Sequence, residues 1–82
     1  PPVTANKSLL GHAMGAASAI ESILAIKGLQ AGRLPPTINY TPDPSLELES
    51  VVTSDRQTDQ EYVLKNAFGF GGCNACVVFK RI

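Results

Sequence analysis

The residues of this chain that are best suited to chemistry lie near its start: Lys7, His12 and Glu21. His12 is the only histidine of the chain, and Glu21 interrupts a stretch that is otherwise rich in Ala, Ile and Leu. Burying an unpaired charge is very costly, so a carboxylate within an apolar helix needs a cation beside it. A lysine, an imidazole and a carboxylate around the start of one helix are more typical of a catalytic site than of a stabilising device.

His12 stands where the main helix is expected to begin. The positive end of the helix dipole disfavours an imidazolium ion at this place. A neutral imidazole held there can donate one N–H to a substrate carbonyl group. A structural histidine that caps the helix or packs in the core is the alternative, and the residue types alone leave it open.

Glu21 lies about two and a half helical turns after His12. Lys7 is the nearest cation outside the helix and is the partner that we expect. Lys27 competes for this role, but a separation of six residues puts it on another face of the helix. A Lys7–Glu21 pair would set the orientation and the local field of the histidine, although a plain buried ion pair stays open as an alternative.

The elements that position these residues follow from the apolar pattern. Residues 3–5 are expected to end a strand, residues 6–11 to form a loop, and residues 13 to about 29 to form a helix. This helix is apolar on nearly all sides, which is typical of a buried helix. Glu21 and Lys27 interrupt it, which argues against a membrane-spanning segment.

The C-terminal part of the chain predicts an antiparallel strand pair. Residues 61–68 and 75–80 are the two strands, and residues 69–72 (the glycine loop) connect them. The second strand is continuously apolar, so we expect burial on both faces. Residues 46–60 are expected to be irregular and exposed. The predicted fold class is α/β, with one long buried helix and a C-terminal strand pair whose partner layers lie outside this sequence.

Composition limits the classes of protein that this chain can represent. Its seven Lys and Arg balance seven Asp and Glu, so no basic patch indicates nucleic-acid binding. A domain of this length buries roughly 60–65% of its unfolded surface, enough for one small core. The chain starts with the sequence PPVT and shows no secretory signal, so we expect a processed product or a piece of a longer chain.

Cys73 and Cys76 form a Cys-x-x-Cys pattern that we discount as a metal or redox site. Two ligands are fewer than the four of a structural zinc site, and a redox pair would need a helix to begin after Cys73. We expect both to be small buried packing residues. Phe70 lies between glycines, which favours either a core aromatic side chain or a gate that moves when substrate enters.

Three blocks of sequence, in this order, resemble the C-terminal segment of the β-ketoacyl-[acyl-carrier-protein] synthases. They are residues 6–17 (NKSLLGHAMGAA), residues 34–39 (LPPTIN) and residues 66–74 (NAFGFGGCN). Thiolases also place a Gly-His pair before a helix, but they usually carry proline after the histidine, where this chain has Ala13.

The resemblance implies a condensing enzyme of the thiolase-like αβαβα fold, with residues 1–82 as the C-terminal part of its C-terminal domain. Such an enzyme joins an acyl group on a cysteine to malonyl-acyl carrier protein with loss of CO2, as in fatty acid elongation. It works as a homodimer, without a cofactor, and its partners are the acyl carrier protein and the rest of the synthase chain. Neither nucleic acid nor a membrane is implied, and the cytoplasm is the expected compartment (mitochondrion or plastid in a eukaryote).

The resemblance also assigns roles to residues. His12 would bind the malonyl thioester carbonyl and stabilise the enolate, with Lys7 and Glu21 as the ion pair behind it. Phe70 would be the gating residue, with its backbone N–H in the oxyanion hole, and Phe68 would line the pocket.

The glycine loop, through Gly69, Gly71 and Gly72, would contribute to substrate binding. Glu21 and Asn66 would lie where some members bind a monovalent cation.

Two departures from the family pattern lie close to the site. Cys73 replaces the usual threonine, and Ala67 replaces a common serine. Neither makes Cys73 the nucleophile, because the nucleophilic cysteine of the family lies upstream of the segment that matches, so we expect the 82-residue chain alone to be inactive. The alternatives are a polyketide-synthase ketosynthase, a non-catalytic partner subunit that resembles a chain-length factor, and a free-standing interaction domain.

Overall fold

The computed structural model describes residues 1–46, 48 and 50–82 and has a mixed α/β architecture. Its elements, in chain order, are α1 (Lys7–Leu10), a 3-10 helix (Met14–Ala16), α2 (Ala17–Ala31), β1 (Arg33–Leu34), β2 (Arg56–Gln57), β3 (Tyr62–Phe68), a second 3-10 helix (Phe70–Gly72) and β4 (Asn74–Lys80). β1 pairs with β2 and β3 pairs with β4, both in antiparallel fashion.

Residues 6–11 form a helical turn, so the prediction of a loop there was wrong. The carbonyl group of Asn6 accepts hydrogen bonds from the N–H groups of Leu9 and Leu10 at 3.0 and 3.2 Å, and Gly11 N–H donates to the carbonyl of Lys7 at 2.8 Å. The turn ends at Gly11, whose φ of 74° is readily available only to glycine. α1 therefore fixes the backbone of Lys7 and directs the chain towards His12.

The main helix begins later and ends later than the sequence predicted. A 3-10 turn occupies Met14–Ala16, and regular α-helix runs only from Ala17 to Ala31. Gly28 lies inside the helix, and the end comes at Gly32, which adopts the left-handed conformation with a φ of 66°. A glycine in this conformation is a common way to end a helix.

Residues 33–38 connect the first part of the chain to residues 50–57. Thr37 N–H donates to the carbonyl of Val52 at 2.7 Å, and Val52 N–H donates to the carbonyl of Val3 at 2.8 Å. Val3 pairs with Val51 in an isolated parallel bridge, so the strand end predicted for residues 3–5 is limited to Val3. Residues 46–60 were expected to be irregular and exposed. The expectation of irregular structure was wrong for β2, whose two residues are nevertheless exposed, and the expectation of exposure was wrong for Val52, which is 4% exposed. Glu47 and Glu49, within that range, lie outside the described residues.

The predicted C-terminal hairpin is confirmed. β3 and β4 pair over seven residues each, from Tyr62 opposite Lys80 to Phe68 opposite Asn74. β3 packs against α2, and its side chains alternate between exposed and partly buried positions. The partly buried ones, Val63, Lys65 and Ala67, share the face that meets the helix.

Little apolar surface is buried within the described part of the chain. Its buried hydrophobic residues are Ala17, Leu29, Leu34 and Val52. The predicted burial of α2 and of both faces of β4 is not reached in this chain, since Ile23 is 59% exposed and Val78 is 58% exposed. Both elements keep the apolar pattern of buried elements, so their outer faces are uncovered here.

Candidate active site

His12 lies between the end of α1 and the 3-10 turn, on the surface of the chain. Its Nδ1 atom accepts a hydrogen bond from the backbone N–H of Met14 at 3.0 Å. A backbone N–H can only donate, so Nδ1 carries the lone pair and the neutral ring bears its proton on Nε2. The Nε2–H group is thereby left as a donor, and it has no acceptor among the residues that the structure describes.

Unusual backbone conformations occur on both sides of His12. Gly11 has a φ of 74° and Met14 a φ of 51°, and Met14 is one of the few non-glycine residues of the described chain with a positive φ. The left-handed region costs an ordinary residue about 1–2 kcal/mol. Backbone strain of this kind is concentrated at functional sites, where the surrounding structure maintains it.

The ion pair expected between Lys7 and Glu21 is present. Lys7 Nζ donates to Glu21 Oε1 at 2.5 Å, with the lysine side chain 45% exposed and the glutamate side chain 13% exposed. α1 supplies the lysine, and α2 supplies the glutamate one turn after its start. Lys7 is therefore the partner of Glu21, as predicted. Glu21 also lines the same depression as Gly11 and Ala13, the residues that flank His12.

A second ammonium group beside Glu21 was missed by the sequence reasoning. Lys65 Nζ lies 3.7 Å from Glu21 Oε2 and donates to the hydroxyl of Ser18 at 2.9 Å. The Lys65 side chain is only 10% exposed. The alternation of side chains along a strand could have revealed this contact. It places Lys65 on the same face of β3 as Val63 and Ala67, the face that meets α2. We call Lys7, Ser18, Glu21 and Lys65 the Glu21 cluster.

The electrostatics of the cluster favour an ionised glutamate. Partial burial raises the pKa of Glu21, but the hydrogen bond and charge of Lys7, followed by the charge and hydrogen bond of Lys65, outweigh it, and the pKa lies below its ordinary value. Two cations thus compensate the cost of removing one carboxylate from water. The cluster is a fixed set of charges between the helix and the hairpin.

A shallow depression of about 150 Å³ connects the cluster to the histidine segment. Its lining is apolar except for one carboxylate and consists of Leu10, Gly11, Ala13, Ala17, Ile20 and Glu21. His12 itself stands between two of these residues in the chain. The Glu21 carboxylate therefore borders a surface that is open to an apolar group from another molecule or another part of a protein.

The glycine loop presents its aromatic side chains to solvent. Phe70 is fully exposed and Phe68 is 77% exposed. Gly69 N–H closes the loop by donating to the carbonyl of Cys73 at 2.6 Å, and Gly71 and Gly72 have φ values of 79° and 82°. The reading of Phe70 as a core aromatic residue does not hold in this chain. No hydrogen bond joins the loop to His12 in the part of the chain that the structure describes.

Two other sequence-based expectations concern the hairpin and its loop. Cys73 and Cys76 are both exposed, so the prediction that they are buried packing residues was wrong for the uncovered hairpin. Asn66 follows Lys65 on β3, so its side chain lies on the face away from Glu21. The structure thus separates the Glu21 and Asn66 side chains, and a monovalent cation between them stays a prediction that this geometry does not support.

Within residues 1–46, 48 and 50–82, no three or more His, Cys, Asp or Glu side chains come together in a group that would hold a metal ion. Among the same residues, no helix has the length and apolar character needed to cross a membrane.

One main helix and two antiparallel strand pairs are consistent with the C-terminal part of a thiolase-like domain, the class that the sequence resembles. Residues 1–41 match the family profile described as beta-ketoacyl synthase, C-terminal domain. The chain belongs to the beta-ketoacyl synthase family, through this C-terminal domain.

Curated relatives extend the match to nearly the whole chain. The 3-oxoacyl-[acyl-carrier-protein] synthase 2 of Vibrio harveyi is 42% identical over 81 residues, which cover 98% of this chain and 20% of that protein. The protein of the same name from Mycobacterium tuberculosis (strain ATCC 25618 / H37Rv) is 43% identical over 82 residues, which cover 99% of this chain and 20% of the relative. The chain thus spans about a fifth of the length of the relatives that it matches.

Proposed function

We propose that this chain is the C-terminal part of a 3-oxoacyl-[acyl-carrier-protein] synthase and supplies the malonyl-binding half of its active site. The reaction would be the decarboxylative Claisen condensation of an acyl thioester with malonyl-acyl carrier protein. The single observation that carries the proposal is the hydrogen bond from Met14 N–H to Nδ1 of His12, because it leaves Nε2–H as a donor. The names of the relatives favour this reaction over polyketide synthesis.

His12 would act on the thioester carbonyl of the malonyl group. Its Nε2–H donates a hydrogen bond to the carbonyl oxygen, the bond to the carboxylate breaks, and CO2 leaves while the electron pair moves into an enolate. The same donor stabilises the negative charge that develops on the oxygen, which is the usual source of a large catalytic effect. The enolate carbon then attacks the acyl group on the synthase cysteine, and the cysteine leaves as a thiolate.

The Glu21 cluster would hold the field around His12 constant during this change of charge. Lys7 places a positive charge near the segment that carries the histidine, and Glu21 keeps that lysine in place at 2.5 Å. Fixed charges of this kind require no rearrangement at the moment of reaction. Retention of this pair favours a catalytic synthase over a non-catalytic partner subunit, since a subunit without chemistry does not need it.

The glycine loop would serve the acyl half of the reaction. Phe70 begins a short 3-10 helix, so its N–H has no partner within that helix and can point to a thioester oxygen. Gly71 and Gly72 hold positive φ values, and the full exposure of the Phe70 ring suits a side chain that moves as a gate. Gly69 and Phe68 would contact the substrate beside it.

Acyl carrier protein is the partner that we propose, as carrier of both substrates, and the whole synthase would be a homodimer in the cytoplasm. The nucleophilic cysteine would come from another part of that synthase. Cys73 and Cys76 are not proposed to replace it, because Cys73 follows a short 3-10 helix and Cys76 lies within β4, so neither is at a helix N-terminus.

The test is a chimera in which the matching segment of the V. harveyi synthase is replaced by this chain. A folded chimera should form a 3-oxoacyl product from acyl- and malonyl-carrier protein, and His12→Ala should abolish that product. A chimera that folds and accepts the acyl group on its cysteine but never condenses would refute the proposal. The M. tuberculosis relative serves as a second host if the first chimera does not fold.

A second arm concerns the 82-residue chain by itself. Incubation with acyl- and malonyl-carrier protein should give no condensation product, because the chain is proposed to lack the nucleophile. Formation of any product would contradict this part of the proposal.

A further inference from the structure

The Glu21 cluster already contains the positive charges that its carboxylate needs. Lys7 Nζ lies 2.5 Å from Oε1 and Lys65 Nζ lies 3.7 Å from Oε2, so each carboxylate oxygen faces its own ammonium group. Lys65 and Glu21 are 10% and 13% exposed, respectively, and are enclosed between β3 and α2. A charge that is buried to this extent requires a partner, and here each provides one for the other.

A monovalent cation does not fit this arrangement. The family resemblance pairs Glu21 with Asn66 for such an ion, but the Asn66 side chain lies on the opposite face of β3. On the face that meets Glu21, the neighbouring position is occupied by the ammonium group of Lys65. A third cation would meet two like charges around one carboxylate, which disfavours its binding.

We propose that Lys65 is an internal replacement for a monovalent cation, and that its ammonium group positions Glu21, and through it Lys7, without help from sodium or potassium. Lys65 is thus a positioning residue rather than a catalytic one. Its effect on condensation rests on the proposed function, whereas its effect on the cluster does not.

The geometry of Lys65 supports this assignment. Besides Glu21, its Nζ bonds to the hydroxyl of Ser18 at 2.9 Å, so two neighbouring turns of α2 hold the same ammonium group. An ammonium group has three donors and the charge of a potassium ion. Because it is covalently attached to β3, it also links the hairpin to the helix that carries Glu21.

The experiment compares the chimera with its Lys65→Ser variant in potassium chloride and in tetramethylammonium chloride of equal ionic strength. Tetramethylammonium is too large to replace the lysine, whereas the serine variant leaves space and an oxygen ligand for potassium. The Tm of the variant should be at least about 2 °C higher in the potassium salt than in the tetramethylammonium salt. The Tm of the parent chimera should differ less between the two salts.

Equal salt responses of parent and variant would overturn the proposal, and the comparison cancels any cation site elsewhere in the host. Activity gives a second readout: Lys65→Ser should lose condensation in tetramethylammonium chloride and recover it in potassium chloride, and Lys65→Arg should keep it in both. Lys80→Ser is the matched control, because Lys80 lies on β4 in an exposed pair with Glu61 at 3.8 Å. A loss for Lys80→Ser equal to that of Lys65→Ser would also overturn the proposal.

The Tm arm separates this inference from the proposed function. If the chimera is inactive but shows the expected salt response, the proposed reaction fails while Lys65 keeps its assigned role. If the chimera is active and the salt responses are equal, the reaction stands and the role of Lys65 is refuted.

Discussion

Nδ1 of His12 lies 3.0 Å from the backbone nitrogen of Met14 and accepts its hydrogen bond, while Met14 holds a φ of 51°. The bond selects the tautomer of the ring, since only an unprotonated nitrogen can accept. The Met14 N–H lies in the peptide plane between Ala13 and Met14, so its direction is set by the backbone of the residues before it, with Ala13 at a φ of −86° and a ψ of 24°. The candidate catalytic histidine is therefore bound to the N–H of a residue whose own conformation L-residues rarely adopt.

The positive φ of Met14 predicts an order of stability for substitutions of this residue. Met14→Gly should leave the chimera as stable as before or raise its stability by up to about 1 kcal/mol, because glycine adopts a positive φ without strain. Met14→Val should cost about 1–2 kcal/mol, because a β-branched residue fits this conformation poorly. Thermal unfolding of the two variants measures the order. A valine variant more stable than the glycine variant would contradict the left-handed conformation of Met14.

A second prediction concerns the chemistry of His12. Replacing His12 with alanine should slow decarboxylation of malonyl-carrier protein by about 10²–10³-fold, which is the usual effect of removing one donor to a developing oxyanion. Transfer of the acyl group to the synthase cysteine should continue, because the proposed mechanism does not use His12 in that step. Release of CO2 and acylation of the cysteine are measured separately in the chimera. Equal losses in both steps would remove His12 from the role that we assign to it.

The hairpin, the Lys7–Glu21 pair and the main helix were predictable because each follows from local sequence. Alternating and continuous apolar residues, interrupted by glycines, identify β3 and β4. An apolar helix with one carboxylate requires a cation, and Lys7 was the nearest outside the helix. These signals are contained in short stretches of the chain and need no knowledge of how the elements pack.

The helical turn α1, the role of Val52 and the contact of Lys65 with Glu21 were not found. α1 is too short to have a periodic pattern, and Val52 is buried by a segment that the sequence places far from it. Lys65 and Glu21 are distant in sequence, and their contact depends on the packing of β3 against α2. The exposure of Cys73 and Cys76 was also missed. The prediction of burial assumed that other elements pack on both faces of the apolar strand that follows the glycine loop.

The proposed role of the Glu21 cluster predicts that a substitution of Glu21 impairs acyl transfer and malonyl decarboxylation unequally. Glu21→Gln keeps the size of the side chain but leaves Lys65 without its counter-charge, which should cost about 1–3 kcal/mol of stability. Malonyl decarboxylation should fall more than acyl transfer, yet by less than the roughly 10²-fold expected for losing the histidine donor itself. The matched control is Glu61→Gln, since Glu61 is 61% exposed in its pair with Lys80.

Glu61→Gln should change stability by no more than about 1 kcal/mol, as exposed ion pairs contribute little, and should leave both half-reactions intact. Unfolding curves and the two half-reaction assays, applied to both variants of the chimera, make the comparison. If Glu21→Gln impaired acyl transfer as much as decarboxylation, the cluster would have a structural role only.

The charge of Glu21 also predicts how stability depends on pH. Its pKa lies below the ordinary value of 4.5 in the folded chain, because Lys7 and Lys65 outweigh the effect of burial. Since the folded state holds its proton less tightly than the unfolded state, the stabilisation is fully present above pH 4.5 and is lost as the pH falls through the lower folded pKa. Urea unfolding of the chimera and of Glu21→Gln, at a series of pH values on both sides of 4.5, isolates this contribution. The difference in unfolding free energy between the two proteins should stay constant above pH 4.5 and shrink below it. A difference that grew on acidification would show that the folded pKa of Glu21 is raised.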